Sequence, residues 1–253
     1  TGKYDWTGLS GLLYKSLPVS LAAFILTFVG VIAFVMSVGF ELEKMVHFGH
    51  LFEMIAIGTV GLVILLPNVA RMWYFTILKP KVKVSLGKYV KSMGELFIHM
   101  FTQKRALGCD DNQFRWFEHF ILVIGYLSLL FTTVVLDWFA SPHLFVIILG
   151  YVMSAIVFVV TVDFVRGRIQ AKKEVSKHSQ PSDIFFVVWL FLMGLTAFLV
   201  RLFIDLDLLD ANKWLYIFHL TVLVQWALII VPFGKWTHFL YRSFAMYFAK
   251  LKE

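Results

Sequence analysis

The residues with the most chemistry to offer are eight histidines: His47, His50, His99, His119, His143, His178, His219 and His238. Neutral imidazole binds metals well and carries protons near neutral pH. The single cysteine, Cys109, excludes a disulfide framework and an iron–sulfur cluster held by this chain alone. Zinc suits the pattern poorly. Its ligands gather at one point, often with Cys or carboxylate, and these histidines are dispersed. His178 sits in a charged loop and reads as solvated. The others acquire meaning from the elements that carry them.

Those elements are membrane spans. Hydrophobic residues make up 60% of the 253, charged ones 15%, and the mean hydropathy is +0.80. A soluble domain cannot bury that much apolar surface, so a soluble enzyme and a disordered chain are both excluded. Six runs approach the ~20 apolar residues a spanning helix needs. They are Pro18–Phe40, His50–Ala70, Phe117–Phe139, Leu144–Val165, Ile184–Ile204 and Trp214–Phe233. Continuous apolar runs predict helices, since a barrel would alternate.

Charge orients the bundle. Arg71, Lys79, Lys81, Lys83, Lys88, Lys91, Lys104, Arg105 and Arg115 lie between the second and third spans. Arg166, Arg168, Lys172, Lys173 and Lys177 follow the fourth, and Lys235, Arg242, Lys250 and Lys252 follow the sixth. The other connections are short and acidic. Both termini are therefore expected in the cytoplasm, in a multi-pass protein of the cell membrane. The net charge of +7 reflects this asymmetry rather than nucleic-acid binding. Residues 1–17 read as a cytoplasmic segment, 18–240 as the membrane domain and 241–253 as a cytoplasmic tail. Within 85–105, Val90, Met93, Leu96, Phe97, Met100 and Phe101 recur at helical spacing among lysines, predicting an amphipathic helix in the cytoplasmic interface. The chain begins at Thr1, as a trimmed or incomplete N-terminus would.

Drawn on this topology, the histidines fall into two layers. His119 and His238 lie near the cytoplasmic face. His219, His47, His50 and His143 lie near the outer ends. Nineteen residues separate His219 from His238, about 28 Å of helix. Two imidazole layers in an aromatic-rich, dry bundle point to two b-type haems with axial histidines. The fold expected is thus an all-α integral membrane protein, a six-helix bundle binding two haems. Arg115, one turn before His119, and Lys235, three residues before His238, are candidate propionate partners at the inner haem. Arg201 is a candidate at the outer one, or an ion-pair partner of Asp205, or part of a quinone site. Pro232 is expected to reset the helix between His219 and His238.

The run Arg115-Trp116-Phe117-Glu118-His119, followed by Gly125-Tyr126 and Thr132-Thr133, resembles the first haem helix of the NarI/HdrE-type dihaem membrane cytochromes b. His219 followed by Pro232-Phe233-Gly234-Lys235-Trp236-Thr237-His238 resembles their last helix. The family includes the gamma subunit of respiratory nitrate reductase, the membrane subunit of heterodisulfide reductase and the membrane cytochrome of the quinone-interacting membrane-bound oxidoreductase (Qmo), the last closest in layout. The resemblance covers residues 18–240, with its strong motifs in the third and sixth spans. It implies His119, His219 and His238 as haem ligands, and a quinone such as menaquinone as substrate. It also implies cytoplasmic iron–sulfur and flavin partners of a heterodisulfide-reductase-like complex in anaerobic respiration. One departure matters: ten residues past His119 stands Leu129, which cannot ligate. The fourth ligand must come from elsewhere, with His50 the first choice and His47 and His143 the alternatives. The expected function is electron transfer between quinol and a soluble partner. A haem-free transporter or a pure membrane anchor is the alternative.

Overall fold

The computed structural model describes residues 5–102, 113–170 and 181–253. Cys109 and His178 lie outside them, as does the side chain of Arg115. Among the described residues the chain is helical and carries six helices long and apolar enough to cross a membrane. A short helix, α1 (Leu9–Lys15), leads into α2 (Leu17–Ser37), which has Pro18 in its first turn, where its missing N–H costs nothing. Then come α3 (Leu42–Leu78), α4 (Leu86–Thr102), α5 (Gln113–Val134), α6 (Leu144–Gln170) and α7 (Pro181–Asp205). The last apolar stretch is α8 (Lys213–Gln225), a wide π-helical turn at Trp226–Ile230, and α9 (Trp236–Lys252).

The outside of the bundle is apolar: Leu26, Leu144 and Phe145 are each at least 70% exposed. A soluble protein does not present such a surface, whereas lipid accepts it. Inside, α8 is hydrophobic all round and forms the axis, with every residue from His219 to Gln225 buried. It packs against α7, α2 and α3, while α6 bridges α5 and α7. Glycines set the closest approaches. A Cβ at Gly194 on α7 would lie 2.8 Å from the backbone nitrogen of Phe158 on α6, and one at Gly125 on α5 would lie 2.9 Å from Ile156. These two glycines serve helix packing. Gly150 is covered by the indole of Trp138, which occupies the place of a side chain.

The second span is longer than its hydropathy predicted. α3 holds 37 residues, about 55 Å at 1.5 Å each, well beyond the ~30 Å bilayer core. His50, expected at its edge, is thus eight residues inside the helix. π-helical turns at Val60–Leu65 and Tyr74–Leu78 widen it. Pro67 has no N–H for the carbonyl of Val63, four residues earlier. The Trp6 indole donates to that carbonyl instead, at 2.8 Å. The Trp6 backbone N–H donates to Asn68 Oδ1 at 2.9 Å, and Asn68 Nδ2 donates to the Tyr241 hydroxyl at 2.6 Å. The N-terminal segment is thereby tied to α3 and α9.

The stretch expected as a tail at 241–253 is helical. Tyr241, Tyr247, Phe248 and Leu251 of α9 form an apolar cluster with Met72, Ile77 and Leu96. The amphipathic pattern on α4 divides in two. Leu96 and Met100 turn to α9, and Val90, Met93, Phe97 and Phe101 are exposed as an outward apolar stripe. That stripe suits a helix lying on lipid.

Candidate functional site

A mostly apolar cavity of about 190 Å³ lies in the middle of the bundle, between α3, α5, α7 and α8. Aromatic walls come from Tyr126, Trp226 and Trp236, and small residues at Ala56, Gly61, Ala197 and Ala227 leave it room. The Trp226 indole donates to the Tyr126 hydroxyl at 3.0 Å. Two groups on the wall carry chemistry, His219 on α8 and Glu53 on α3.

His219 is 2% exposed. Its Nδ1 lies 2.8 Å from Thr196 Oγ1, on α7. The Thr196 hydroxyl has one proton, and it donates that to the Leu192 carbonyl at 2.7 Å. Toward His219 it can therefore only accept. This pairing assigns the hydrogen to Nδ1 and leaves Nε2 its lone pair. No hydrogen bond is made to Nε2 among the described residues. An imidazole whose far nitrogen is tied and whose near nitrogen is bare is the usual arrangement of a metal-bound histidine.

A second, open pocket of about 640 Å³ lies at the acidic end of the bundle. Glu43, His47, His50, Asp137, Asp207 and Asp210 line it. Asp137 and Asp207 take left-handed backbone conformations, φ 46° and 56°, which short acidic side chains tolerate in turns. His50 Nδ1 lies 3.7 Å from Asp137 Oδ1. His50 thus faces this pocket and does not line the central cavity.

The other expected site residues are placed as follows. His119 is partly buried near the start of α5, and His238 is exposed in the first turn of α9; neither lines either cavity. His47 and His143 are exposed. Lys235 pairs with Asp183 at 2.5 Å. The Arg201 guanidinium is buried and engaged: Nε and Nη2 donate to Asp205 at 3.2 and 2.7 Å, and Nη1 donates to the carbonyls of Trp138, Phe139 and Ser141. It closes the turn after α5 rather than lining a cavity. Gln225, a polar group in the middle of the last apolar run, accepts from the Trp189 indole and donates to the Phe24 carbonyl, both at 3.1 Å. It ties α8 to α7 and α2.

The donor set of the central cavity therefore fits one axial imidazole in dry, aromatic surroundings. It does not bring a second histidine to the same cavity. Among the described residues, no group of three or more His, Cys, Asp or Glu gathers as a metal site. Sequence reading missed Thr196. Its only signal is a hydroxyl within an apolar run, and its pairing with His219 spans two helices. The chain matches no family model, no curated protein and no solved structure.

Proposed function

We propose that this chain is a membrane cytochrome b subunit, passing electrons between a quinone such as menaquinone and a cytoplasmic iron–sulfur and flavin partner. The observation that carries the reading is the bare Nε2 of His219 on a dry cavity wall, fixed by Thr196. Haem b bound there supplies a one-electron carrier. His219 would hold the iron of that group, and Thr196 would set the tautomer and basicity of the imidazole. The aromatic wall excludes water and so tunes the potential. His119 and His238 would hold a second haem near the basic end; this part rests on their matched depth in the sequence. His50, turned to Asp137, is not given to iron. The exposed Lys79, Lys81, Lys83 and Lys91 supply a docking face for an acidic partner.

A reduced-minus-oxidised spectrum with a haem assay tests the proposal. Two b-type haems per chain are expected, His219→Ala losing one and His50→Ala keeping both. A folded, monodisperse protein without a b-type band would overturn it.

A further inference from the structure

The central cavity and the acidic-end pocket are lined in succession by one stripe of α3. Glu43, His47 and His50 line the pocket, and Glu53, Ala56 and Val60 line the cavity. Residues three and four apart on a helix are neighbours, about 5–6 Å between Cβ atoms. Glu53 therefore stands one step from His50, at the junction of the two spaces. It is 9% exposed, lines the cavity, and its carboxyl receives no hydrogen bond among the described residues. The Tyr216 hydroxyl from α8 lies over Gly49, one turn before Glu53. Tyr126 from α5 and His219 from α8 share its cavity, and Asp137 is within electrostatic reach. An ionisable group inside a span is costly and marks an ion or proton route.

We propose that Glu53 and the His50–Asp137 pair form a proton path between the central cavity and the acidic end. A hydronium ion reaching the cavity gives its proton to the Glu53 carboxylate: the O–H bond of the hydronium breaks, a water molecule is left, and an O–H bond forms on Glu53. That bond breaks as His50 takes the proton on its imidazole, with Asp137 balancing the charge. The proton leaves to water in the pocket, which Glu43, His47, Asp207 and Asp210 line. Glu53 and His50 return to their starting forms. The path depends on the two cavities and not on a haem.

The test is infrared difference spectroscopy of the purified protein in a lipid film after a pH jump. The carboxylic C=O band of Glu53 is expected to vanish in Glu53→Gln and to shift in Glu53→Asp. In His50→Leu and Asp137→Asn, at the open pocket, the band should persist but respond about 100-fold more slowly, the scale of a lost proton relay. No band assignable to Glu53, or an undiminished rate in both pocket variants, overturns the path. Because the readout needs no haem, its failure is distinct from failure of the electron-transfer reading.

Discussion

α8 and α9 are two halves of one apolar stretch, yet they do opposite things. From His219 to Gln225, α8 is enclosed, so each polar group there has to find a partner inside. His219 finds Thr196, and Gln225 finds Trp189 and Phe24. α9 begins after Gly234, whose extended backbone (φ −94°, ψ −161°) ends the helix, and it buries only one face. His238 is accordingly exposed, while Tyr241 and Tyr247 turn inward to Asn68 and the Tyr89 carbonyl. A polar side chain on an enclosed helix is held in one tautomer and one direction. The same side chain on a half-wetted helix is not. The enclosed half can prepare a cofactor ligand, and the open half can answer to a surface.

The largest expected effect on this contrast comes from the packing that encloses α8. Gly194→Leu would drive a side chain into the Phe158 backbone, which has no rotamer to escape by. A loss of about 3 kcal/mol is expected, seen as aggregation in size-exclusion chromatography of the detergent extract. A profile like that of the unmodified protein would mean that α6 and α7 approach less closely than this contact requires. Next, His219→Ala and His238→Ala should each remove a different haem band. If the enclosed residue leaves the spectrum intact while the exposed one abolishes it, the contrast is inverted.

A finer effect comes from Thr196→Val, which keeps the shape and removes the acceptor. Cofactor affinity at His219 should fall about 10–100-fold in a haem titration, as for other ligand-orienting partners. Thr196→Ser should restore it. The smallest effect concerns the N-terminal strap on the α9 side. Burial of Asp5 favours its neutral acid, but hydrogen bonds from Thr7 and Ser10 outweigh this and hold its carboxyl below the usual carboxylate range. Its contribution to docking is therefore present above the unfolded value of about 4 and lost as pH falls through the folded one. Trp6 fluorescence should report release of the strap in that acid window. In Asp5→Asn the docking should be weaker and the transition absent.

Much of the fold could be read in the residues. Six apolar runs became six long helices; the last was expected to reset at Pro232, and it breaks two residues later, at Gly234. The helix at 86–102 was legible as amphipathic. That its inner face would meet α9 was not, since Leu96 and Phe97 look alike until a partner takes one. The length of α3 was hidden because Glu43, Lys44 and His47 dilute its first turns; helix continues there around the acidic-end pocket. At the site, His219 was visible as a polar residue in an apolar run. Arg201 was visible too, but its three readings could be separated only when Asp205 and the carbonyls after α5 were seen around it.

Composition alone determined that this chain lives in lipid, because no aqueous fold can hide so much hydrocarbon. Spacing and charge alone determined its helices and their alternation of basic and acidic ends. Which histidine faces an enclosed space, which nitrogen it offers, and which carboxyl stands between two cavities were decided by tertiary structure. Those properties belong to pairs of side chains on different helices, and the one-dimensional order carries no distance between them.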